Sequence, residues 1–212
     1  MRKIIKGAEP KSLTEHRSQP GSKYEDYNDK QTLRECLVGE QRGLCCYCLS
    51  RIRAEISSMK IEHWHCQSRY PLEQLTYSNL LGSCKGNEGP YGNQRCDTRK
   101  ADHNLKWNPA NPQHSIEKVT FFVNGMIGSS DPEFNAQISS EDSVLNLNQA
   151  FLVVNRKFVL DSFVKALPRM GTLSHEAWER LRQDWSGESH TRNLEPFCQV
   201  IVYWLQKKLR RS

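Results

Sequence analysis

The sequence predicts an α+β fold that is organised around a thiolate zinc site and continues into a mainly helical C-terminal half. Three observations support this prediction. Four cysteines stand in two groups, Cys45 with Cys48 and Cys84 with Cys96, and thiolates are preferred ligands of structural zinc. A strand pattern lies between the groups. Nonpolar residues with the spacing of amphipathic helices recur in the last third of the chain.

Length and composition are those of a globular protein with a large polar surface. The 212 residues suffice for one ordinary domain and a smaller extension. Hydrophobic residues make up 37%, charged residues 25%, and the mean hydropathy is −0.73. No nonpolar run approaches the roughly 20 residues that span a bilayer, and the first residues lack the nonpolar core of a signal peptide. We therefore expect a cytoplasmic protein without membrane contact.

The expected location determines how the eight cysteines are interpreted. A reducing compartment disfavours structural disulfides, so several cysteines are expected to bind metal, and a disulfide-stapled secreted protein is disfavoured. The formal charge of +6 and the sequence pI near 8.9 are compatible with a polyanionic partner such as nucleic acid. Ordinary solubilising charge explains the same excess equally well.

The first half of the chain is predicted to contain an arm and then the core. Residues 1–30 are rich in Lys, Glu, Pro, Gly and Ser without periodicity, and we expect an extended N-terminal arm. The core, residues 31–110, opens with a short amphipathic helix that carries Leu33 and Leu37 and stops at Gly43.

The rest of this core is predicted as a strand, a loop and two helices. Residues 58–65 have the pattern of a short strand. The stretch "YSNLLGSCKGN", residues 77–87, begins like a helix with Ser78 or Asn79 near its start. The chain after Cys96 is basic and predicted to be helical.

Residues 111–212 are predicted to form a hairpin and a helical part, either separate from the core or continuous with it. The pair Asn124-Gly125 between nonpolar runs is typical of a two-residue hairpin turn. Residues 147–167 carry an amphipathic stripe, and a second stripe lies in residues 197–205. These helices are expected to pack on the core or to dock a partner.

The four grouped cysteines can close one tetrahedral zinc site. Cys45 and Cys48 have the spacing of a zinc knuckle, whereas eleven residues separate Cys84 from Cys96 and imply a loop between these ligands. A disulfide or simple buried cysteines remain alternatives. Cys46 is a weaker candidate, because only one residue separates it from Cys48.

Four short motifs in residues 44–102 together resemble the HNH nucleases. They read C-C-Y-C, I-E-H, Y-S-N-L-L-G-S-C and C-D-T-R-K in this order. The resemblance implies a ββα-metal core with a four-cysteine zinc knuckle, and hydrolysis of nucleic-acid phosphodiester bonds. A neutral imidazole titrates near physiological pH, so His63 can take a proton from water as general base.

The resemblance also implies the ligands of a catalytic metal ion. Glu62 is expected to bind it although neighbouring strand residues point to opposite faces, and Asp97 is the second expected ligand. Asp97 stands where many relatives have His or Asn. Two carboxylates favour Mg²⁺ or Mn²⁺ over zinc, so the catalytic ion and the structural zinc are expected to differ.

Further site residues follow from the same motifs. Asn79 is expected to brace the loop that carries the base, although a helix N-cap would also explain an Asn there. Arg95, Arg99 and Lys100 are predicted to contact backbone phosphates, or to be solvated surface charges.

Three more residues near the motifs have less definite roles. His65 and Cys66 are interpreted as loop residues, with metal binding as the alternative. His103 is a candidate to replace Asp97 as a ligand.

More narrowly, the segments "MRKIIKGAEP" and "LVGEQRGLCCYC" and the stretch from "NLLGSC" to "CDTRKAD" resemble the HNH subunits of Septu-type phage-defence systems. Such subunits stand beside an ATPase, PtuA, and also occur with retrons. The resemblance implies an ATPase partner and a nucleic-acid target, DNA in preference to RNA. A retron reverse transcriptase with its RNA–DNA is a further candidate partner.

Two functions compete at this stage. One is a metal-dependent HNH endonuclease that acts as the effector of an anti-phage complex. The other is a zinc-binding module that binds nucleic acid or a partner without cutting. Both use the four grouped cysteines, but only a nuclease needs Glu62, His63 and Asp97 together, which favours the enzyme.

Overall fold

The computed structural model describes residues 1–140 and 142–210, which form seven α-helices and two small antiparallel sheets. The helices are α1 (Lys11–Arg17), α2 (Lys30–Glu40), α3 (Cys96–Lys100), α4 (Pro132–Ile138), α5 (Ala150–Ala166), α6 (His175–Ser186) and α7 (Gln199–Leu209). The strands are β1 (Met59–His63), β2 (Leu80–Cys84), β3 (Val119–Phe121) and β4 (Ile127–Ser129). The α+β class predicted from the sequence is therefore confirmed.

The first sheet forms the framework of the motif region. β1 and β2 pair antiparallel, with Met59 opposite Cys84 and His63 opposite Leu80. Helix α3 packs on β2. The order along the chain is thus strand, strand and helix, preceded by α2 and a tight turn at residues 45–50.

The helix predicted for residues 77–87 is wrong. The chain makes one 3₁₀ turn at Tyr77–Asn79 and then enters β2. All five residues of β2 are buried. A strand buried on both faces lacks the alternation of polar and nonpolar residues by which strands are recognised in a sequence.

Residues 1–30, expected as an extended arm, lie against the rest of the molecule. They contain α1 and bury the side chains of Met1, Ile4, Leu13 and Tyr27. Leu13 and Tyr27 belong to a small nonpolar cluster that α2 and the start of β2 complete. How the chain divides into domains stays a prediction.

Helix α5 confirms a helix within residues 147–167, but it begins later and its nonpolar side chains are not confined to one face, since Val164 of the predicted stripe is exposed while Arg156 is buried. Gln149 accepts a hydrogen bond from the Phe151 backbone N–H as N-cap, and Asn146 has a positive φ of 46°. The positive φ of Asn146 keeps the chain out of helix at that residue, and the cap at Gln149 starts the helix at Ala150. None of the helices in the described part of the chain is long and nonpolar enough to cross a membrane.

The predicted hairpin at Asn124-Gly125 is present, but its turn has three residues. Phe122 N–H donates to Met126 O, and Gly125 N–H donates to Phe122 O. Gly125 has φ of 87°, which suits the left-handed position that closes a three-residue turn. A two-residue turn would require different pairing of the flanking residues.

Gly125 is also where the hairpin touches α5. A Cβ atom there would lie 2.2 Å from Val153 O, and Gly125 O accepts a hydrogen bond of 2.6 Å from the buried Arg156 Nε. The hairpin can approach α5 this closely only because residue 125 has no side chain.

We predict that Gly125→Ala destabilises the protein by roughly 3 kcal/mol, because it combines backbone strain with a clash against Val153 O. Gly21 is a matched control, since its φ is +75° but nothing lies within 4 Å of a Cβ there. Gly21→Ala should cost only about 1 kcal/mol. Urea unfolding of both variants measures the difference, and equal losses would show that the contact with α5 contributes nothing.

Candidate active site and metal centre

Four buried cysteines from three separate stretches converge on one point. The Sγ atoms of Cys45, Cys48, Cys84 and Cys96 all lie within 4.8 Å of one another. The Cys45–Cys96 and Cys48–Cys84 Sγ distances are 3.9 and 3.8 Å. Zinc–sulfur bonds of about 2.3 Å in a tetrahedron require sulfur atoms about 3.8 Å apart. The group has the geometry to hold a metal ion such as zinc.

Local backbone structure places each of these sulfur atoms. The turn that carries Cys45 and Cys48 is closed by Cys45 N–H donating to Ser50 O, with Leu49 in the left-handed region. Cys84 is the last residue of β2, and its N–H donates to Cys45 Sγ. Cys96 opens α3 with a positive φ of 56°. Backbone N–H groups aimed at sulfur favour the thiolate.

Protonation of the four thiols fits a cation site. Burial opposes ionisation of Cys45, yet hydrogen bonds from the other thiols lower its pKa. The pKa of Cys84 is raised, first by the hydrogen bond with Cys45, and that of Cys96 is raised by burial. The hydrogen bond with Cys45 opposes ionisation of Cys48, but those with Cys84 and Cys96 lower its pKa. Ionisation is thus favoured at two thiols and opposed at two, and a bound cation would be needed to make all four into thiolate ligands.

Cys46 does not belong to the group. Its side chain is buried, and its pKa is raised by burial and by Cys45. Its backbone N–H donates to Gly82 O, which ties the turn to β2. The choice of Cys45 over Cys46 agrees with the sequence spacing.

Three of the other predicted residues come together in a cleft of about 750 Å³. Glu62, His63 and Asp97 all line it. Glu62 and His63 are the last two residues of β1, and Asp97 is the second residue of α3. The first turn of α3 also touches β1, since Lys60 Nζ donates to Thr98 Oγ1 at 2.9 Å.

Glu62 is a buried carboxyl group with fixed partners. It is 1% exposed, and its Oε1 accepts hydrogen bonds from Tyr47 Oη at 2.7 Å and Lys100 Nζ at 2.9 Å. Burial and the neighbouring Asp97 carboxylate raise its pKa well above the usual range, although Lys100 and Tyr47 oppose this shift. Two carboxylates that repel each other in this way are a suitable pair of oxygen ligands for a cation.

His63 is held at both ring nitrogens. Its Nε2 lies 3.0 Å from Gln74 O, and its Nδ1 lies 3.2 Å from Gln67 Nε2. A backbone carbonyl can only accept, so we assign the proton to Nε2, which leaves Nδ1 as the basic nitrogen that accepts from the Gln67 amide. Burial lowers the pKa of His63 to about 4, against the opposing effects of Gln74 O and Asp97.

Asn79 braces the loop that follows β1. Its Oδ1 accepts from His65 N–H at 2.7 Å, and its Nδ2 donates to His65 O and Glu73 O. It ends a 3₁₀ turn instead of capping a helix. The N-cap alternative is therefore wrong, and the contacts agree with a bracing role.

Two of the three basic residues predicted to contact phosphates are buried. Lys100 is 0% exposed and donates to His63 O as well as to Glu62. Arg99 donates to Tyr91 O and lies over the Tyr91 ring. Neither side chain faces solvent, so this expectation is corrected. Arg95 is partly exposed and lies over the ring of Phe151.

Of the residues with less definite roles, only Cys66 lines the cleft. His65 Nδ1 lies 2.8 Å from Glu73 Oε2, and its ring is stacked between Trp64 and Tyr70. These contacts agree with its interpretation as a loop residue. His103 is exposed and its Nδ1 is bonded to Lys100 O.

The sequence reasoning missed several residues around the site. Tyr47, Gln67 and Gln74 contact Glu62 or His63. Lys60 lines the cleft, 3.9 Å from Asp97 Oδ2 and 3.0 Å from Glu88 Oε1. Only Tyr47 carried a signal, because it stands between cysteines of the knuckle.

Comparison with known proteins gives one distant similarity. The chain is 25% identical over 158 residues to the Septu protein PtuB of Bacillus thuringiensis. The match covers 72% of this chain and 51% of PtuB, so the chain spans about half the length of the relative it matches. No family model matches the sequence. The chain is thus similar to PtuB, as its motifs indicated.

We predict that Cys45→Ala abolishes zinc binding while Cys46→Ala retains it. Loss of one of four thiolates opens the tetrahedral site, whereas Cys46 only packs beside it. Zinc content of the purified variants, measured by atomic emission, should fall from about one ion per chain to near zero only in the first. Equal zinc loss in both would contradict the assigned ligand set.

We also predict that acid weakens the fold through His63. The imidazole has a pKa of about 6.5 when unfolded and about 4 in the folded protein, so between these values only the unfolded chain binds the proton. The free energy of unfolding should decrease by up to about 3 kcal/mol as pH falls from 6.5 to 4. Urea unfolding of His63→Gln should show a correspondingly smaller decrease, and parallel pH curves would rule the effect out.

Proposed function

We propose that the protein is a metal-dependent endonuclease that hydrolyses phosphodiester bonds of nucleic acid. The observation that carries this proposal is the convergence of Glu62, His63 and Asp97 on one cleft beside the four-cysteine cluster. A neutral imidazole next to two carboxylates provides a base and a cation site within the reach of one phosphate group. A zinc-binding module without enzymatic activity would have no need for this arrangement.

The two carboxylates are the proposed ligands of a catalytic Mg²⁺ or Mn²⁺ ion. Oε1 of Glu62 already accepts from Tyr47 and Lys100, which leaves its second oxygen to act together with Asp97. A cation held there would polarise the phosphoryl group and stabilise the departing oxygen as a Lewis acid. The thiolate cluster would hold zinc with a structural role, since four cysteines leave no open position.

His63 is the proposed general base. Its Nδ1 can take a proton from water once the Gln67 amide gives way, while Nε2–H remains bonded to Gln74 O. The positive charge that forms on the ring is stabilised by this carbonyl and by Asp97, both of which raise the pKa of His63. A phosphodiester in the cleft would act in the same direction.

The biological role that we propose follows from the similarity to PtuB. We infer an anti-phage defence protein that works with a PtuA-like ATPase and cuts DNA in preference to RNA. A retron reverse transcriptase with its RNA–DNA is a further proposed partner. DNA and RNA present the same phosphates to a site with one metal ion, so the distinction is left to the assay.

The central test is cleavage of plasmid DNA and total RNA by the protein, with and without the ATPase, in Mg²⁺ or Mn²⁺. We predict that His63→Ala lowers the cleavage rate by about 10²- to 10⁴-fold, the usual contribution of a general base. His175→Ala is the matched control, because this exposed residue opens α6 away from the cleft, and it should cut like the wild type. EDTA should stop cleavage.

Two outcomes would contradict the proposal in different ways. If wild type and His63→Ala cut equally, His63 is not the base. If neither cuts any substrate under any condition while both retain zinc, the protein is a binding module instead of an enzyme. The substrate that is cut identifies the nucleic acid.

A further inference from the structure

We propose that Tyr24 is a positioning residue that holds the imidazole ring of His63 in its reactive orientation. The inference rests on the proposed nuclease function, because it concerns the same base. Nothing in the motifs points to this residue, which lies 39 positions before His63 in the part of the sequence without periodicity.

The two rings meet edge to face. Their centroids are 4.5 Å apart, and their planes make an angle of 87°. This is the arrangement that aromatic rings prefer, since the positive edge of one meets the negative face of the other. The contact is therefore directional and favours one orientation of the imidazole.

Tyr24 and His63 are also connected through Gln74. The Tyr24 backbone N–H donates to Gln74 Oε1 at 3.0 Å, and the backbone carbonyl of the same Gln74 accepts from His63 Nε2. Gln74 thus ties both residues to one point of the chain. A shift of Tyr24 would be transmitted to His63 both through the rings and through this residue.

The segment around Tyr24 is itself ordered by local hydrogen bonds. Lys23 O accepts from Asp26 N–H, and Tyr24 O accepts from Tyr27 N–H. The ring of Tyr24 packs beside the nonpolar cluster that contains Tyr27. Its neighbours Lys23 and Glu25 line the cleft. The segment therefore forms part of the wall beside His63.

The chemistry gives this contact its importance. As long as Gln67 bonds to Nδ1, the ring of His63 is held at both nitrogens. When water replaces the Gln67 amide at Nδ1, only the hydrogen bond from Nε2 to Gln74 O remains, and this single contact opposes rotation of the ring about its Cβ–Cγ bond. The Tyr24 ring blocks this rotation at the stage at which the base must be aligned.

The test compares three variants in the cleavage assay. Tyr24→Leu should lower kcat by about tenfold with KM changed by less than about twofold, because substrate still binds while the base is misaligned. Tyr24→Phe keeps the ring and should restore cleavage. Tyr27→Leu disturbs the packing of the same segment without touching His63, so it should lower the melting temperature but leave kcat unchanged.

A spectroscopic measurement keeps the inference testable apart from catalysis. Proton–nitrogen correlation spectra of the histidine rings, with His63 assigned by its loss in His63→Ala, should show a single Nε2–H tautomer in the wild type and in Tyr24→Phe. Tyr24→Leu should give doubled or averaged His63 signals. Unchanged His63 signals in Tyr24→Leu would overturn the inference whether or not the protein cuts nucleic acid.

Kinetic results separate the remaining possibilities. If His63→Ala is inactive but Tyr24→Leu cuts at the wild-type rate, the positioning role is wrong and the nuclease function stands. If Tyr24→Leu and Tyr27→Leu lose the same share of kcat, Tyr24 serves only to stabilise the segment. If the wild type does not cut, the proposed function fails and the spectra alone decide the contact with His63.

Discussion

The convergence of four thiols on one point is the constraint on which the rest of the site depends. The sulfur atoms come from a tight turn, from the end of β2 and from the start of α3. A two-stranded sheet such as β1 with β2 is at best marginally stable by itself, and α3 has only five residues. Tying them to one ion would set β2 and α3 relative to each other, and Asp97, which follows Cys96 directly, would then be placed opposite Glu62.

A second set of contacts explains why buried charge is tolerated there. Lys100 and Glu62 are both almost fully enclosed, and Lys100 Nζ lies 2.9 Å from Glu62 Oε1. An ion pair taken out of water is costly unless its remaining hydrogen bonds are satisfied. The Tyr47 hydroxyl and His63 O provide such partners. Tyr47 and Lys100 both occupy Oε1 of Glu62, so the other carboxylate oxygen stays available to the cleft. A nonpolar pair at the same place could not select one oxygen in this way.

The sequence predicted those parts of the site whose chemistry depends on local spacing. The knuckle cysteines, the neighbours Glu62 and His63, and the helix after Cys96 are set by positions a few residues apart. The nature of β2 could not be predicted, because burial of both faces removes the strand pattern. The burial of Lys100 could not be predicted from the sequence either. A Lys in a basic helix resembles a surface charge until a carboxyl group from another strand is found beside it.

The same reasoning explains why Tyr24 was missed. Residues 1–30 have the composition of an extended arm, and a polar segment cannot form its own core. Such a segment can still be ordered when a few nonpolar side chains insert into a core that other elements supply, as Leu13 and Tyr27 do here. Composition measures the average of a segment, whereas order depends on these few anchors. Contacts around a candidate site can therefore come from a segment whose composition predicts little structure. His63 at the end of β1 is such a case, since Tyr24 from the N-terminal segment packs edge to face on its ring.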